Sequence, residues 1–340
     1  MSAAAEPVAT GPVLRVRDLR VAYRTPRGPL WAVDGVDLDV DPGESLGLVG
    51  ESGCGKSSLG RAVMQLMPPG GVVRGSVELG GEQLVGASQA RLRRARGEDV
   101  ALLFQEPMSR LDPLMRVSAH FVEAIRAHRA DVSKDEARDM ARSALAQMGI
   151  PPTRVDNHPH EFSGGMRQRI MIALGIVLRP RLVVADEPTT SLDVIVEAQI
   201  LDILDRLRRD EGLGLVLITH NLGIVAETCD RVAVMYAGKV VEVGTVEQVF
   251  NRPRHPYTRG LIASTISLET TELHSIGGYP PDLVDPPPGC RFAPRCPSVM
   301  EHCTDAVPDH AEPEPGQLAA CYLYPGAGGP PVGDAAAEHG

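Results

Sequence analysis

The sequence predicts an α/β fold in which a largely parallel sheet presents its chemistry at the carboxyl ends of its strands. Three apolar runs point there. Ser45–Val49 leads straight into Gly50-Glu-Ser-Gly-Cys-Gly-Lys-Ser57, with a helical stretch over 58–67 after it. Leu182–Ala185 is wholly apolar, as suits a strand buried on both faces of a parallel sheet, and Asp186 and Glu187 follow it at once. Leu213–Thr219 is a third run and ends at His220. Open sheets of this class bind ligands just beyond the carboxyl ends of their strands.

The first run fits the G-x-x-x-x-G-K-[ST] phosphate loop without departure, and the strand before it and helix after it are the context the motif needs. Its glycines (Gly50, Gly53, Gly55) let the backbone N–H groups from Ser52 to Ser58 converge on a phosphate. Lys56 adds a point charge, and Ser57 offers a hydroxyl to magnesium. Cys54 fills a variable position and reads as packing rather than as a nucleophile.

The second run belongs to a longer unit, Glu161–Asp193. Ser163, Gly164 and Gly165 open a helix over 166–178 and present N–H groups at its N-terminus, where partial positive charge favours a phosphate. Pro180 stops the helix. Asp186 at the strand end suits a magnesium held through water, and Glu187 suits polarisation of an attacking water.

The remaining order is read from periodicity. Leu14–Val21 and Val33–Val40 alternate apolar and polar residues as half-exposed strands do, and Val72–Leu79 is another strand. Arg91–Arg96 reads as a solvated basic helix face. Val100–Phe104 is a buried strand ending at Gln105, and 117–129 and 134–148 are helical. Val232–Tyr236 and Lys239–Val243 form a hairpin turned at Gly238, and a last helix opens at His255-Pro-Tyr-Thr258. Residues 1–11 and 326–340 read as disordered ends, leaving a nucleotide-binding domain over 12–270 and a cysteine-containing extension over 271–325.

Taken together, Ser163-Gly-Gly165, LVVADEPT, Ser191-Leu-Asp193 and the phosphate loop resemble the signature motif, Walker B strand, D-loop and P-loop of ATP-binding cassette (ABC) transporter ATPases. The family usually has Leu-Ser-Gly-Gly-Gln; Phe162 and Met166 stand here instead, a variant similar to the peptide and nickel importer branch. The resemblance implies a RecA-like core with an antiparallel β subdomain and an α-helical subdomain. It implies that Tyr23 stacks on adenine, although packing at a strand end is the alternative for that ring. It further implies that Gln105 senses magnesium and the γ-phosphate, that His220 contacts the γ-phosphate, and that Glu187 is the base. Two such domains would face each other head to tail, with ATP between one chain's P-loop and the other's Ser163–Gly165, and with Asp193 reaching across. The second subunit is either a paralogue or another copy.

Composition sets limits on this. The net charge is −10 and aromatic content is 4%, so a general nucleic-acid surface is not expected. No apolar run reaches the ~18 residues of a membrane span, and the N-terminus lacks the basic and apolar regions of a signal peptide. The expectation is a peripheral protein at the cytoplasmic face of the membrane, served by two separate permease subunits and indirectly by an extracytoplasmic solute-binding protein. Peptides are the expected cargo, with nickel or another small solute as the alternative. A soluble ABC ATPase acting on DNA or ribosomes is the rival, although a long coiled coil or a second cassette is missing.

Four of the six cysteines, Cys290, Cys296, Cys303 and Cys321, fall close together near the end. In a cytoplasmic protein such a cluster points to metal before disulfides. The C-x5-C-x6-C-x17-C spacing is looser than the close pairs of structural zinc. Gly289-Cys-Arg-Phe-Ala-Pro-Arg-Cys-Pro297 resembles the C-terminal extension of oligopeptide and dipeptide importer ATPases, which implies a 4Fe–4S cluster on these residues. Zinc, unligated thiols and disulfides stay open as alternatives. The proline-rich surroundings suggest a segment unable to build much core of its own.

Overall fold

The computed structural model describes residues 11–103, 111–189, 193–264 and 275–328. In chain order the strands are β1 (Leu14–Thr25), β2 (Gly28–Val40), β3 (Ser45–Val49), β4 (Val72–Leu79), β5 (Glu82–Gln83) and β6 (Val100–Leu103). They continue with β7 (Leu182–Asp186), β8 (Gly214–Ile218), β9 (Arg231–Tyr236), β10 (Lys239–Thr245), β11 (Ala311–Glu314) and β12 (Gln317–Ala319). The helices are α1 (Lys56–Val63), α2 (Gln89–Glu98), α3 (Val117–His128), α4 (Lys134–Gln147) and α5 (Gly164–Ile176). After them come α6 (Val194–Glu211), α7 (Leu222–Thr228), α8 (Val246–Asn251) and α9 (Pro256–Ala263).

Two sheets organise the chain. An antiparallel sheet runs β2-β1-β4-β5, and a larger sheet runs β11-β12-β10-β9-β3-β8-β7-β6. From β9 through β3, β8 and β7 to β6 the larger sheet is parallel. Every residue of β3, β7 and β8 is buried, which explains why their sequences are apolar but for Ser45 and Asp186 at two of their ends. Strand β8 lies between β3 and β7, so the segments leaving these three strands emerge side by side. A second core, built from α3, α4, α5 and their neighbours around Phe121, Ile125, Leu145 and Ile170, packs beside the sheet. Helix α4 begins with a capping box in which Ser133 and Glu136 satisfy each other's backbone N–H groups.

Several expectations need correction. The helix after the phosphate loop starts at Lys56 and ends at Val63, earlier at both ends than the sequence suggests. Nothing was expected between Asp193 and Leu213, where α6 runs with Ile200, Ile203, Leu204 and Leu207 buried at helical spacing. The basic run is not simply a solvated face. Arg91 pairs with Glu82 and Asp99, and Arg96 donates to the carbonyls of Met64 and Gln65 at 2.9 and 2.8 Å, beyond the kink at Arg96–Gly97.

The extension builds only a small core of its own, around Ala293, Cys303, Ala311, Tyr322 and Ala327, and adds to it by docking on the main domain. Strands β11 and β12 add to the edge of the large sheet at β10. Phe292 enters a cluster with Tyr236 and Tyr257, at centroid distances of 5.2 and 5.4 Å. Arg291 is buried, pairs with Asp34 of β2 and donates to the Ala237 carbonyl. Trp31 N donates to Leu283 O at 3.0 Å, which ties the extension to the antiparallel sheet as well. Removing the ring in Phe292→Ala is expected to destabilise the full chain by about 3–5 kcal/mol, the usual cost of an aromatic-to-alanine cavity. Denaturant unfolding followed by far-UV dichroism checks this, and an unchanged midpoint contradicts the docking.

Candidate active site

The phosphate loop turns from β3 into α1, and its glycines are required by close backbone approach. Gly55 has φ +109, and a Cβ there would lie 2.0 Å from the Ala32 carbonyl oxygen. At Gly50 a Cβ would lie 2.0 Å from the Met235 carbonyl oxygen. Ser52 and Gly53, at the crest of the loop, are exposed. The Lys56 ammonium donates to Gly50 O at 2.7 Å and Glu51 O at 3.1 Å, so it closes the loop on its own carbonyls. Cys54 is buried, and burial pushes its thiol up, so it stays protonated and inert as a packing residue does.

Across β8, the Ser57 hydroxyl donates to Asp186 Oδ1 at 2.9 Å. Burial pushes the Asp186 carboxyl up, against the lowering effect of that hydrogen bond. Glu187 follows with φ +49, a left-handed conformation that costs a non-glycine residue of order 1 kcal/mol. Its N–H donates to Ile218 O at 2.9 Å, which fixes the bend that turns its carboxylate off the strand. His220, at the end of β8, places Nδ1 at 3.1 Å from Glu187 Oε1. Tyr23 is half-buried and packs against the core, and its hydroxyl donates to Ser58 Oγ at 2.9 Å, which keeps the ring beside α1. The structure therefore brings Lys56, Ser57, Asp186, Glu187 and His220 to one edge of the sheet.

The Ser-Gly-Gly helix, α5, leads into β7. Ser163 is the N-cap of α5, accepting from Met166 N at 3.4 Å, and both it and Gly164 are exposed. Gly165 is required by packing, since a Cβ there would meet Val196 at 2.6 Å. Gln168 was missed by sequence reasoning. It is buried and donates to Pro188 O at 2.6 Å, so the signature helix is tied to the residue after Glu187. Its signal was the i, i+4 stripe with Ile172 and Ile176, all buried, in which one member is polar. Asp193 caps α6 through Val196 N at 2.9 Å, and the next residues, Val194 and Ile195, are 79% and 71% exposed. Gln105 lies outside the described residues.

All four late cysteines line one narrow cavity together with His255, Phe292, Met300 and Tyr322, and all are free thiols. Burial, reinforced by Cys290, Cys296 and Cys303, pushes the Cys321 thiol up to about 12. Among the described residues, no group of three or more His, Cys, Asp or Glu is arranged to hold a metal ion. The sulfurs thus share a pocket but do not form a metal-holding group there.

Comparison with known proteins places this geometry. Residues 33–190 match the ABC transporter family, and residues 241–303 match the oligopeptide/dipeptide transporter C-terminal region. The chain is 43% identical over 317 residues to the dipeptide transport ATP-binding protein DppD of Bacillus subtilis, covering 92% of this chain and 94% of that one. It is also 43% identical over 314 residues to the oligopeptide transport ATP-binding protein OppD of Salmonella typhimurium, covering 91% and 93%. The chain belongs to the ABC transporter ATP-binding proteins. A bacterial ABC transporter cassette solved as a dimer shares the fold at a TM-score of 0.61 and 24% identity, over 68% of this chain and 98% of that one. This ABC protein is accordingly an ATPase whose hydrolysis is coupled to transport, and its C-terminal region is of the oligopeptide/dipeptide kind.

Proposed function

We propose that this ABC protein is the subunit that hydrolyses ATP to power import of dipeptides or oligopeptides through separate permease subunits at the cytoplasmic face of the membrane. The observation that carries the reading is the pair of contacts Ser57–Asp186 and Glu187–His220, side by side at the ends of β3, β7 and β8. No helix among the described residues is long and apolar enough to cross a membrane, so the pore would come from other chains. The peptide assignment is supported by the relatives named above, and a solute-binding protein outside the membrane would choose the peptide.

In this reading the N–H groups from Ser52 to Ser58 cradle the β- and γ-phosphates, and Lys56 leaves its two loop carbonyls to meet them. Ser57 and Asp186 would hold the magnesium that accompanies the nucleotide, and Gln105 would be a further ligand. Magnesium supplies charge neutralisation between the phosphates. Glu187 orients water and takes its proton, and His220 steadies the γ-phosphate. Tyr23 supports the adenine face. A second ATPase subunit, identical or paralogous, would contribute its Ser163, Gly164, Gly165 and Asp193 to this site. The exposed Val194 and Ile195 beside Asp193 support a protein partner there, because burying such side chains is favourable. Glu187→Gln keeps the shape but removes the base, so ATP turnover is expected to fall ~10²–10⁴-fold while ATP binding survives. Near-normal turnover in a phosphate-release assay contradicts the assignment.

The same reading gives Cys290, Cys296, Cys303 and Cys321 a 4Fe–4S cluster. Their common cavity supports it. Four thiolates are also the number such a cluster takes. Protein prepared without oxygen is expected to be brown and to contain iron and acid-labile sulfide. Zinc in place of iron, or iron retained after all four cysteines become serine, contradicts the cluster.

A further inference from the structure

The sequence stretch around the first two late cysteines contains a residue that touches the nucleotide loop directly. Arg295 lies in the short 3-10 turn Ala293–Arg295, between Pro294 and Cys296, and its side chain is 5% exposed. Its guanidinium grips Glu51 by a two-pronged fork, Nη1 to Oε2 and Nη2 to Oε1, both at 2.9 Å. The remaining donors are also used: Nε to Gly277 O at 2.8 Å, Nη1 to Tyr236 Oη at 3.2 Å, and Nη2 to Ile276 O at 3.1 Å. A guanidinium has five N–H groups in a fixed plane, so this one is fully committed and has little freedom to turn away.

Glu51 is the second residue of the phosphate loop, and each of its polar groups is engaged. Its carboxylate meets Arg295, its N–H donates to Tyr257 Oη at 2.9 Å, and its carbonyl accepts from Lys56 Nζ at 3.1 Å. Tyr257 sits on α9 and packs with Tyr236 and Phe292, so the side chains holding Glu51 brace one another. The Glu51 N–H is therefore unavailable to a phosphate, and the carboxylate points into the extension rather than into the cradle. When Lys56 moves from Gly50 O and Glu51 O to a nucleotide, the Glu51 carbonyl keeps the Cys54 N–H at 3.2 Å but loses its charged donor. Arg295 and Tyr257 then hold the base of the loop in place.

We propose that Arg295 of the cysteine-containing extension is a positioning residue of the nucleotide site, acting through Glu51 to preset the phosphate loop for ATP. The extension is thus part of the ATP-binding apparatus. The inference rests on the assignment of the P-loop as the ATP site, and deepens it.

The test measures binding of a fluorescent ATP analogue, with magnesium, to the full chain. Arg295→Ala is expected to weaken binding about tenfold, within the usual range of coupling between linked groups. Turnover at saturating ATP should change far less, and Arg295→Lys should recover part of the loss by keeping the charge without the fork. Glu51→Ala and the Glu51→Ala/Arg295→Ala double variant should be no worse than Arg295→Ala alone, because both single changes remove one interaction. Arg291→Met is the control: it cuts the extension's other anchor, to Asp34, and should lower the unfolding midpoint without altering ATP affinity. Unchanged affinity in folded Arg295→Ala, additive losses in the double variant, or an equal loss in Arg291→Met each overturns the proposal. If the unaltered chain binds no ATP analogue, the site assignment fails instead.

Discussion

The hydrogen bond from Ser57 to Asp186 spans the width of strand β8, and the arrangement of the site depends on it. It can form only because β3, β8 and β7 run parallel and in register, so that their outgoing segments leave the sheet at one level. One of those segments is a loop of backbone donors, one carries two carboxylates, and one carries a histidine. None of the three would do much alone. Held together, on the proposed reading, they would provide positive charge, a metal-binding carboxylate and a base around a terminal phosphate.

The same geometry requires unusual backbone. Glu187 adopts a left-handed conformation, and the hydrogen bond of its N–H to Ile218 helps to hold it there. Gly50 and Gly55 lie against carbonyl oxygens that a side chain would strike. The loop is also braced on its outer surface: Gly238 N donates to Cys54 O at 2.8 Å, and Tyr257 and Arg295 secure Glu51. The braces come from residues far along the chain, so the end of the sequence helps to shape a motif near its beginning.

Much of this was legible in the sequence because the relevant signals are local. Apolar runs bounded by a glycine-rich loop, by Asp186-Glu187 or by His220 mark β3, β7 and β8 closely, since buried parallel strands carry polar residues only at their ends here. The N-cap at Ser163 was equally clear. What was not legible depends on distant contact. Gln168 reads as one more polar helix residue until Pro188 is seen beside it. Arg96 reads as surface until the carbonyls of α1's end accept from it. The extension was taken as a segment poor in core because its own residues are few and proline-rich. Beside a small cluster of its own it packs on Tyr236, Tyr257 and Asp34, which no local pattern links to Phe292 and Arg291.

The central claim is that the ends of β3, β8 and β7 form one site for the γ-phosphate, completed by a second subunit. A crystal structure of the chain trapped with ADP, magnesium and vanadate tests it most directly. Vanadate held by Lys56 and His220, with magnesium on Ser57 and Asp186, Glu187 facing the apical oxygen, and Ser163 of a second subunit on the far side, is the predicted result. Vanadate bound away from Asp186 and Glu187, or trapped stably in a lone subunit with Ser163 of no partner near it, would contradict the account.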